Sequence, residues 1–278
     1  MRVAVITDST ASLPPELARQ WGIRVVPLRI RIGDHLDDES RVPAAAVVAA
    51  MRADRPVSTE PPEPAALYWA YRAAAEDGAD AVVSVHISSR QSKTAEHARE
   101  AAARVGLPVS VVDSRTMGMS LGYAVTGAAR VAGAGGSPGR IIDALQRRLD
   151  GGSTFIYVET LDHLRRGGRI GAAAHLVGTA LSVKPLLTMR DGQIAPLDRV
   201  IGGGRAKRKL ADIATATAGE RTVDVAVEHV GAPEQAAELM AELTGRIPGM
   251  RERVVTDASS AIAVHAGPGM LAVVVSRT

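Results

Sequence analysis

Residues 81–94 read AVVSVHISSRQSKT. The run Ala81–Val85 is almost continuously apolar, which is typical of a central strand buried on both faces of a parallel sheet. A hydroxyl-rich loop, Ser88–Thr94, follows the predicted strand Ala81–Ile87, and a helix is predicted over Lys93–Arg104. A strand, a polar loop and a helix in this order are the repeating unit of an α/β sheet. The stretch therefore predicts an α/β fold.

The rest of the first half repeats this alternation. The predicted strands are Val3–Thr7, the extended run Ile23–Ile32 and Val109–Asp113, and the predicted helices are Pro14–Trp21, Pro43–Arg52, Ala65–Ala75 and Arg140–Leu149. Helices of about ten residues between strands are long enough for parallel crossovers. We therefore predict a first domain, residues 1–150, with a largely parallel sheet flanked by helices.

The second half has longer strand patterns in which apolar and polar residues alternate. They are Phe155–Glu159, Thr222–His229, Arg253–Asp257, Ala261–His265 and Leu271–Ser276, with an amphipathic helix at Pro233–Leu243. Alternation is typical of a mixed or antiparallel sheet with one wetter face. We predict a second α/β domain, residues 151–278, that begins near Gly151-Gly152. Its last two strands are expected to form a hairpin through the turn His265–Gly269.

The composition excludes several classes of function. The 278 residues include 46% hydrophobic residues, one Phe and no Cys, and the formal net charge is +3. So few aromatics argue against a nucleic-acid platform that stacks bases, and the lack of Cys excludes disulfides and thiolate chemistry. No apolar run reaches the roughly 20 residues of a membrane span, and the first residues enter a strand pattern without a signal peptide. We expect a cytoplasmic protein that binds no nucleic acid.

Polar side chains cluster at the ends of the predicted strands. Ser92 and Thr94 lie where a strand meets a helix, and open α/β sheets bind ligands at the carboxyl ends of their strands. Because a helix N-terminus attracts anions, this loop predicts an anion or carboxylate site, with simple helix capping as the alternative. The loops Asp8-Ser9-Thr10, Ser58-Thr59 and Asp113-Ser114 are further candidates, for which capping or core packing competes.

The second half adds one histidine and two basic segments. His265 precedes a Gly-Pro-Gly turn, where a small ligand can approach the backbone. The segments Arg165–Gly171 and Gly202–Lys209 place basic side chains beside glycines, which suits a phosphate or an acidic partner, with a solvated surface as the alternative. The sequence contains no P-loop, no Gly-x-Ser-x-Gly elbow and no metal-ligand spacing.

Eight short pieces carry a family resemblance when they are taken in order. They are Thr7-Asp8-Ser9-Thr10 with Leu13-Pro14, Val25-Val26-Pro27-Leu28, Ser58-Thr59-Glu60-Pro61, Ser88-Ser89 with Ser92 and Thr94, Val112-Asp113-Ser114, Gly167-Gly168-Arg169-Ile170, Lys184-Pro185 and His265-Ala266-Gly267-Pro268-Gly269. Over almost the whole chain this pattern resembles the DegV family of bacterial fatty-acid-binding proteins. The resemblance implies two α/β domains that bind one long-chain fatty acid in an apolar tunnel between them.

The resemblance also implies which residues hold the ligand. Hydroxyls of Ser58, Thr59 and Ser92 would hold the carboxylate, with His265 close by. Further ligand contacts are expected from Lys93, Thr94, Asp113, Ser114, Arg169 and Gly267. No catalytic residue, cofactor or metal is implied in the binding protein, which in many bacteria presents the fatty acid to a separate kinase for acyl-phosphate formation. The candidate contacts with such a kinase are Arg166, Arg205 and Lys207.

The chain departs from the family pattern at three places. Gln91-Ser92-Lys93-Thr94 stands where the family has Leu-Ser-Gly-Thr, so Lys93 adds a positive charge beside the expected carboxylate or narrows the entrance. Glu60 replaces a family Gln. Ile201-Gly202 replaces an Arg-Thr pair that is associated with the kinase encounter, and Arg205, beside the flexible run Gly202–Gly204, is the candidate substitute.

Two other functions stay open on the sequence alone. A phosphotransferase or hydrolase acting on a phosphorylated small molecule would use Ser92, His265 and the basic loops. A regulatory protein would bind an acidic partner through the same loops.

Overall fold

Three β-sheets organise residues 1–176 and 182–278, which the computed structural model describes. The strands are β1 Val3–Asp8, β2 Arg24–Val26, β3 Arg29–Ile32, β4 His35–Asp38, β5 Val57–Glu60, β6 Ala81–His86, β7 Val109–Asp113, β8 Gly152–Tyr157, β9 Val183–Arg190, β10 Gln193–Ile201, β11 Val223–His229, β12 Met250–Asp257 and β13 Leu271–Arg277. The α-helices are α1 Pro15–Gln20, α2 Ala44–Arg52, α3 Pro64–Glu76, α4 Thr94–Ala102, α5 Met119–Gly133, α6 Pro138–Asp150, α7 Asp162–Arg166, α8 Gly203–Ala218, α9 Pro233–Arg246 and α10 Ser260–Ala266.

The first sheet is parallel, with the strand order β2-β1-β6-β7. All six residues of β6 are buried, because helices cover both faces of the sheet. Val83 and Val85 pack with α5 and α6 on one face, and Val82 packs with α3 and α4 on the other. This arrangement confirms the predicted parallel sheet, and it brings the loops after β1, β6 and β7 to one edge.

The second large sheet is mixed, with the strand order β10-β9-β8-β13-β11-β12. β11 and β12 are parallel, and the other neighbours are antiparallel. Helices α8 and α9 cover one face. On the opposite face, Met119 and Tyr123 of α5 pack against Ala226 and Val274. The mixed sheet of the second half is therefore confirmed.

The prediction that one face of β11 is exposed to solvent was wrong, since all seven residues of this strand are buried. Its polar side chains find partners inside the protein. Arg148 and Arg251 both pair with Asp224, and the Met119 amide donates to Glu228. Alternation identified the two faces of the strand, but it could not reveal that first-half helices cover the polar one.

A small antiparallel sheet of order β4-β3-β5 was not predicted. It turns the expected loop at Ser58-Thr59 into part of β5. Ile30 of β3 and Val47 of α2 share one core with Val158 and Ile262 of the second half. The domain boundary near residues 151–152 stays a prediction, because this sheet belongs to the first half in sequence and packs with the second half.

The predicted strand at Ala261–His265 was wrong, because these residues lie in α10. The Ser259 side chain accepts the Ile262 amide at 3.2 Å, and Glu39 Oε1 accepts the Ala261 amide at 3.1 Å. Both contacts satisfy free amides at the helix N-terminus, and Gly267 at φ +81° ends the helix.

The prediction of a basic loop at Gly202–Lys209 was also wrong, because all of these residues except Gly202 lie in α8. Gly202 has a φ of +87° and directly precedes α8, so its neighbours Gly203 and Gly204 form the first helical residues. Arg205 and Lys207 are therefore held on a helix and do not lie in a flexible run.

Candidate functional site

An apolar cavity lies between two parts of the fold. One is the face of the mixed sheet that carries Glu228, and the other is the edge of the parallel sheet where its loops meet. Counting the space at its mouth, about 810 Å³ is free of atoms. Its lining is drawn from both halves of the chain and includes Leu28, Ile87, Ile156, Leu187, Ile262 and Met270. Because its walls are mostly aliphatic, the cavity suits a ligand with a large apolar part.

The mouth of the cavity carries a hydrogen bond between the two halves of the chain. Thr59 Oγ1 of β5 lies 2.8 Å from His265 Nε2 of α10. Both side chains line the cavity. Thr59 is positioned by the small sheet and His265 by helix α10. The pair therefore depends on two elements that the sequence did not predict.

His265 is held as a neutral imidazole. Burial, followed by the positive charge of Arg169, lowers its pKa to about 4. Its Nδ1 atom is buried without a hydrogen-bond partner among the described residues. A Cβ at Gly167 would overlap this nitrogen, which explains the glycine in Gly167-Gly168-Arg169.

The loop after β6 brings hydroxyls to the same mouth. Ser92 lines the cavity, and its Oγ lies 2.8 Å from Thr94 Oγ1. The Thr94 amide, at the first residue of α4, points to Ser92 Oγ at 3.3 Å. Ser92 Oγ therefore accepts the first amide of α4 and also lies at the cavity wall, and the carboxylate site expected in this loop stays a prediction.

A buried network fixes the start of this loop. Asp8 Oδ2 accepts the Ile87 amide at 2.9 Å and lies 3.0 Å from His86 Nδ1. His86 Nε2 in turn lies 2.7 Å from Ser84 Oγ. Asp8 and His86 have no exposed surface. The Asp8 candidate of the sequence thus acts through the backbone of the loop and not as a wall of the cavity.

Arg169 supplies positive charge at the mouth. Its Nε donates to the Gln91 carbonyl at 3.1 Å, and its Nη1 donates to the Gly167 carbonyl at 2.7 Å. These two bonds tie the loop after β6 to the segment after α7. Arg169 lines the cavity, so its guanidinium can also face a bound anion.

Several predicted ligand contacts lie outside the cavity lining. Ser58 and Lys93 are exposed, and Thr94 is buried beneath Ser92. Asp113 accepts the Ser89 amide and hydroxyl. Ser114 donates to the Thr116 carbonyl at 3.2 Å.

Gly267 and the basic candidates also occupy defined positions. A Cβ at Gly267 would overlap the ring of His163, so this glycine is required for packing. Arg166 lines an open cleft outside the mouth, together with Ser58, Thr59 and His265. Arg205 is exposed on α8, whereas Lys207 lies over the Tyr157 ring at 5.3 Å and also donates to Gln235.

Sequence reasoning missed several residues of the cavity wall. Gln91, Thr154 and Glu228 all line it, in addition to Thr10 of the candidate loop Asp8-Ser9-Thr10. Glu228 could have been noticed in the sequence, because it is an acidic residue within the predicted strand Thr222–His229. The other residues become visible only when distant segments come together.

The candidate Ser92 is not hydrogen-bonded to a base among the described residues. Ser84, His86 and Asp8 do form a hydrogen-bonded Ser-His-Asp chain, but all three side chains are fully buried and lie outside the cavity lining. Ser92 is bonded to Thr94, His265 to Thr59, and Asp113 to Ser89. Within residues 1–176 and 182–278, no group of three or more His, Asp or Glu side chains could hold a metal ion. In the same part of the chain, no helix is both long and apolar enough to cross a membrane.

Comparison with known proteins gives a consistent assignment. A DegV domain-containing protein of Streptomyces coelicolor is 42% identical over 275 residues, which cover 99% of this chain and 98% of the relative. A structure described as fatty acid binding of a DegV family protein from Thermus thermophilus matches with a TM-score of 0.94 at 30% identity, covering 100% of both chains. DegV of Bacillus subtilis, described as a fatty acid binding protein, matches with a TM-score of 0.91 at 27% identity over 100% of both chains. The family model described as an uncharacterised protein of the DegV family matches residues 2–278. This chain therefore belongs to the DegV family.

Proposed function

We propose that this protein binds one long-chain fatty acid, with the acyl chain in the apolar cavity and the carboxylate at its mouth. The observation that carries this proposal is the combination of aliphatic walls with a polar group of Thr59, Ser92, Arg169 and His265 at one end. The fatty-acid binding stated for the Thermus thermophilus and Bacillus subtilis relatives supports the same ligand class.

The carboxylate would accept hydrogen bonds from Thr59 and Ser92 and face the Arg169 guanidinium. Thr59 can donate to a ligand only if His265 Nε2 carries the proton and donates to Thr59 Oγ1. The unpartnered Nδ1 is then an acceptor without a proton. This tautomer leaves no buried N–H unsatisfied, so His265 would orient Thr59 toward the carboxylate.

The apolar part of the ligand would supply most of the affinity. Burying about a dozen methylenes at ~0.8 kcal/mol each gives about 10 kcal/mol before the cost of ordering the chain. A hydrogen bond to a charged group contributes about 1.5–3 kcal/mol. The mouth residues would therefore set the direction of the ligand more than its affinity.

The bound carboxylate would also face the open cleft outside the mouth, where Arg166 lies. A kinase that phosphorylates the carboxylate would approach from this side, and the binding protein would supply no catalytic group. Ile201 is 64% exposed at the position of the family arginine, so Arg166 and Arg205 are the basic side chains offered to such a partner.

The ligand class is tested by extracting the purified protein and identifying bound lipids by mass spectrometry. Calorimetry on delipidated protein then compares palmitate with its methyl ester. We expect a stoichiometric fatty acid and at least tenfold weaker binding of the ester. Equal affinity for acid and ester would contradict the carboxylate site, and failure to bind either would reject the function.

A further inference from the structure

The cavity wall contains a buried carboxyl group that the proposed function does not use. Glu228 lies on β11, is 2% exposed and lines the cavity. Its Oε2 accepts the Met119 amide at 2.9 Å, whereas its Oε1 is buried without a hydrogen-bond partner in the described part of the chain. A side-chain hydrogen bond from Ser12 also acts on this carboxyl and lowers its pKa, but no hydrogen bond between described residues reaches Oε1.

Glu228 and His265 lie near opposite ends of α10. Ser12, the neighbour of Glu228, accepts the Ser259 amide at 3.1 Å at the N-terminal cap of this helix. His265 lies in the last turn of the same helix. A helix of seven residues is about 10 Å long, so a chain whose carboxylate is at His265 would pass Glu228 partway along its length.

An unsubstituted acyl chain would cover Glu228 Oε1 with methylenes and keep it unsatisfied. A hydroxyl group at that point of the chain would hydrogen-bond to it and restore the lost interaction. Burial raises the pKa of Glu228 to about 7, so the group is present in both protonation states near neutral pH. A hydroxyl can donate to the carboxylate and accept from the protonated acid, so it matches both states.

We propose that the cavity recognises a long-chain fatty acid with a hydroxyl group partway along its chain, and that Glu228 Oε1 bonds to this hydroxyl. The proposal rests on the fatty-acid binding proposed above and defines its substrate class further. Thr154 provides an internal comparison, because its Oγ1 is also buried without a partner among the described residues and also lines the cavity. Thr154 lies on β8, which β13 separates from β11.

The test measures the affinity of delipidated protein for stearate and for hydroxystearates that differ in the position of the hydroxyl. We expect one mid-chain isomer to bind at least tenfold more tightly than stearate, which is about 1.4 kcal/mol. In Glu228→Leu the ratio of the two affinities should fall to about one. Thr154→Val should keep the preference. If Glu228→Leu fails to fold, the isomer series on the unmodified protein and on Thr154→Val decides the question together.

The outcomes separate the two proposals. Tight binding of stearate with no favoured hydroxy isomer would overturn the role of Glu228 and leave fatty-acid binding in place. Loss of the preference in Thr154→Val, with retention in Glu228→Leu, would also overturn it. No binding of any acid would reject the proposed function itself.

Discussion

Replacing Glu228 with Gln should change how the stability of the ligand-free protein depends on pH. Gln keeps an oxygen that can accept the Met119 amide, so the packing is retained while the ionisable group is removed. Burial raises the pKa of Glu228 from 4.5 to about 7. The folded state therefore holds a proton that the unfolded state releases, and the stability from this group is complete below pH 4.5 and is lost as the pH rises to 7.

The size of this contribution follows from the pKa values. Each tenfold difference in proton affinity corresponds to about 1.4 kcal/mol, so the rise from 4.5 to about 7 corresponds to about 3 kcal/mol. His265 acts in the opposite direction, because burial lowers its pKa from 6.5 to about 4. The stability that the neutral His265 contributes to the fold is complete above pH 6.5 and is lost as the pH falls to 4. Between pH 4.5 and 6.5 in the wild type, the stability lost through Glu228 as the pH rises is nearly balanced by the stability gained through His265.

The assay is urea unfolding of delipidated wild type and Glu228→Gln at a series of pH values. Relative to the wild type, the variant should gain about 3 kcal/mol between pH 4 and pH 8. His265→Gln should show the reverse difference, losing stability relative to the wild type as the pH rises. A free-energy difference between Glu228→Gln and wild type that stays constant across this range would refute the buried, proton-binding role of Glu228.

Three further predictions concern the mouth and the cavity. Thr59→Val should weaken fatty-acid binding at least tenfold in calorimetry, whereas Thr59→Ser should bind nearly as well as the wild type; equal loss in both would assign the effect to packing. Gly167→Ala should displace His265 and weaken binding while Gly245→Ala, at an exposed position of α9, does not, since a Cβ at Gly245 meets no atom within 4 Å; equal affinity of all three proteins would contradict the close approach at Gly167. Ala266→Trp should fill the cavity and abolish lipid co-purification in mass spectrometry, and retention of a stoichiometric lipid would place the chain elsewhere.

The sequence predicted those parts of the fold whose causes are local. The buried strand β6, its hydroxyl loop and α4 follow one another within residues 81–102, so their pattern is visible in a short window. Helix α10 was missed because one of its N-terminal contacts comes from Glu39, 222 positions away in the chain. Without that contact, an apolar run before Gly-Pro-Gly is indistinguishable from a strand of a hairpin.

The site shows the same division between local and distant causes. Ser92 and Arg169 could be proposed from a loop and a glycine-rich segment, and His265 from its turn. The bond between Thr59 and His265 joins positions 206 apart, and it depends on a small sheet that no local pattern predicted. Asp113 and Ser114 were reasonable candidates at a strand end, but Asp113 bonds to Ser89 in the loop after β6 and Ser114 bonds to Thr116 in its own loop.

The charges along the cavity give a reason for the direction of the ligand. Among the described residues that line it, Arg169, His265 and Glu228 have ionisable side chains. Arg169 is positive, and the lowered pKa of His265 keeps that ring neutral at pH 7. A carboxylate bound at the mouth, as proposed, would therefore meet a cation and two hydroxyls. The reversed chain would carry the carboxylate away from Arg169 and past Glu228, where no cation of the described cavity wall balances its charge. The methyl ester lacks the charge that makes this distinction, so it should lose its preferred direction as well as part of its affinity.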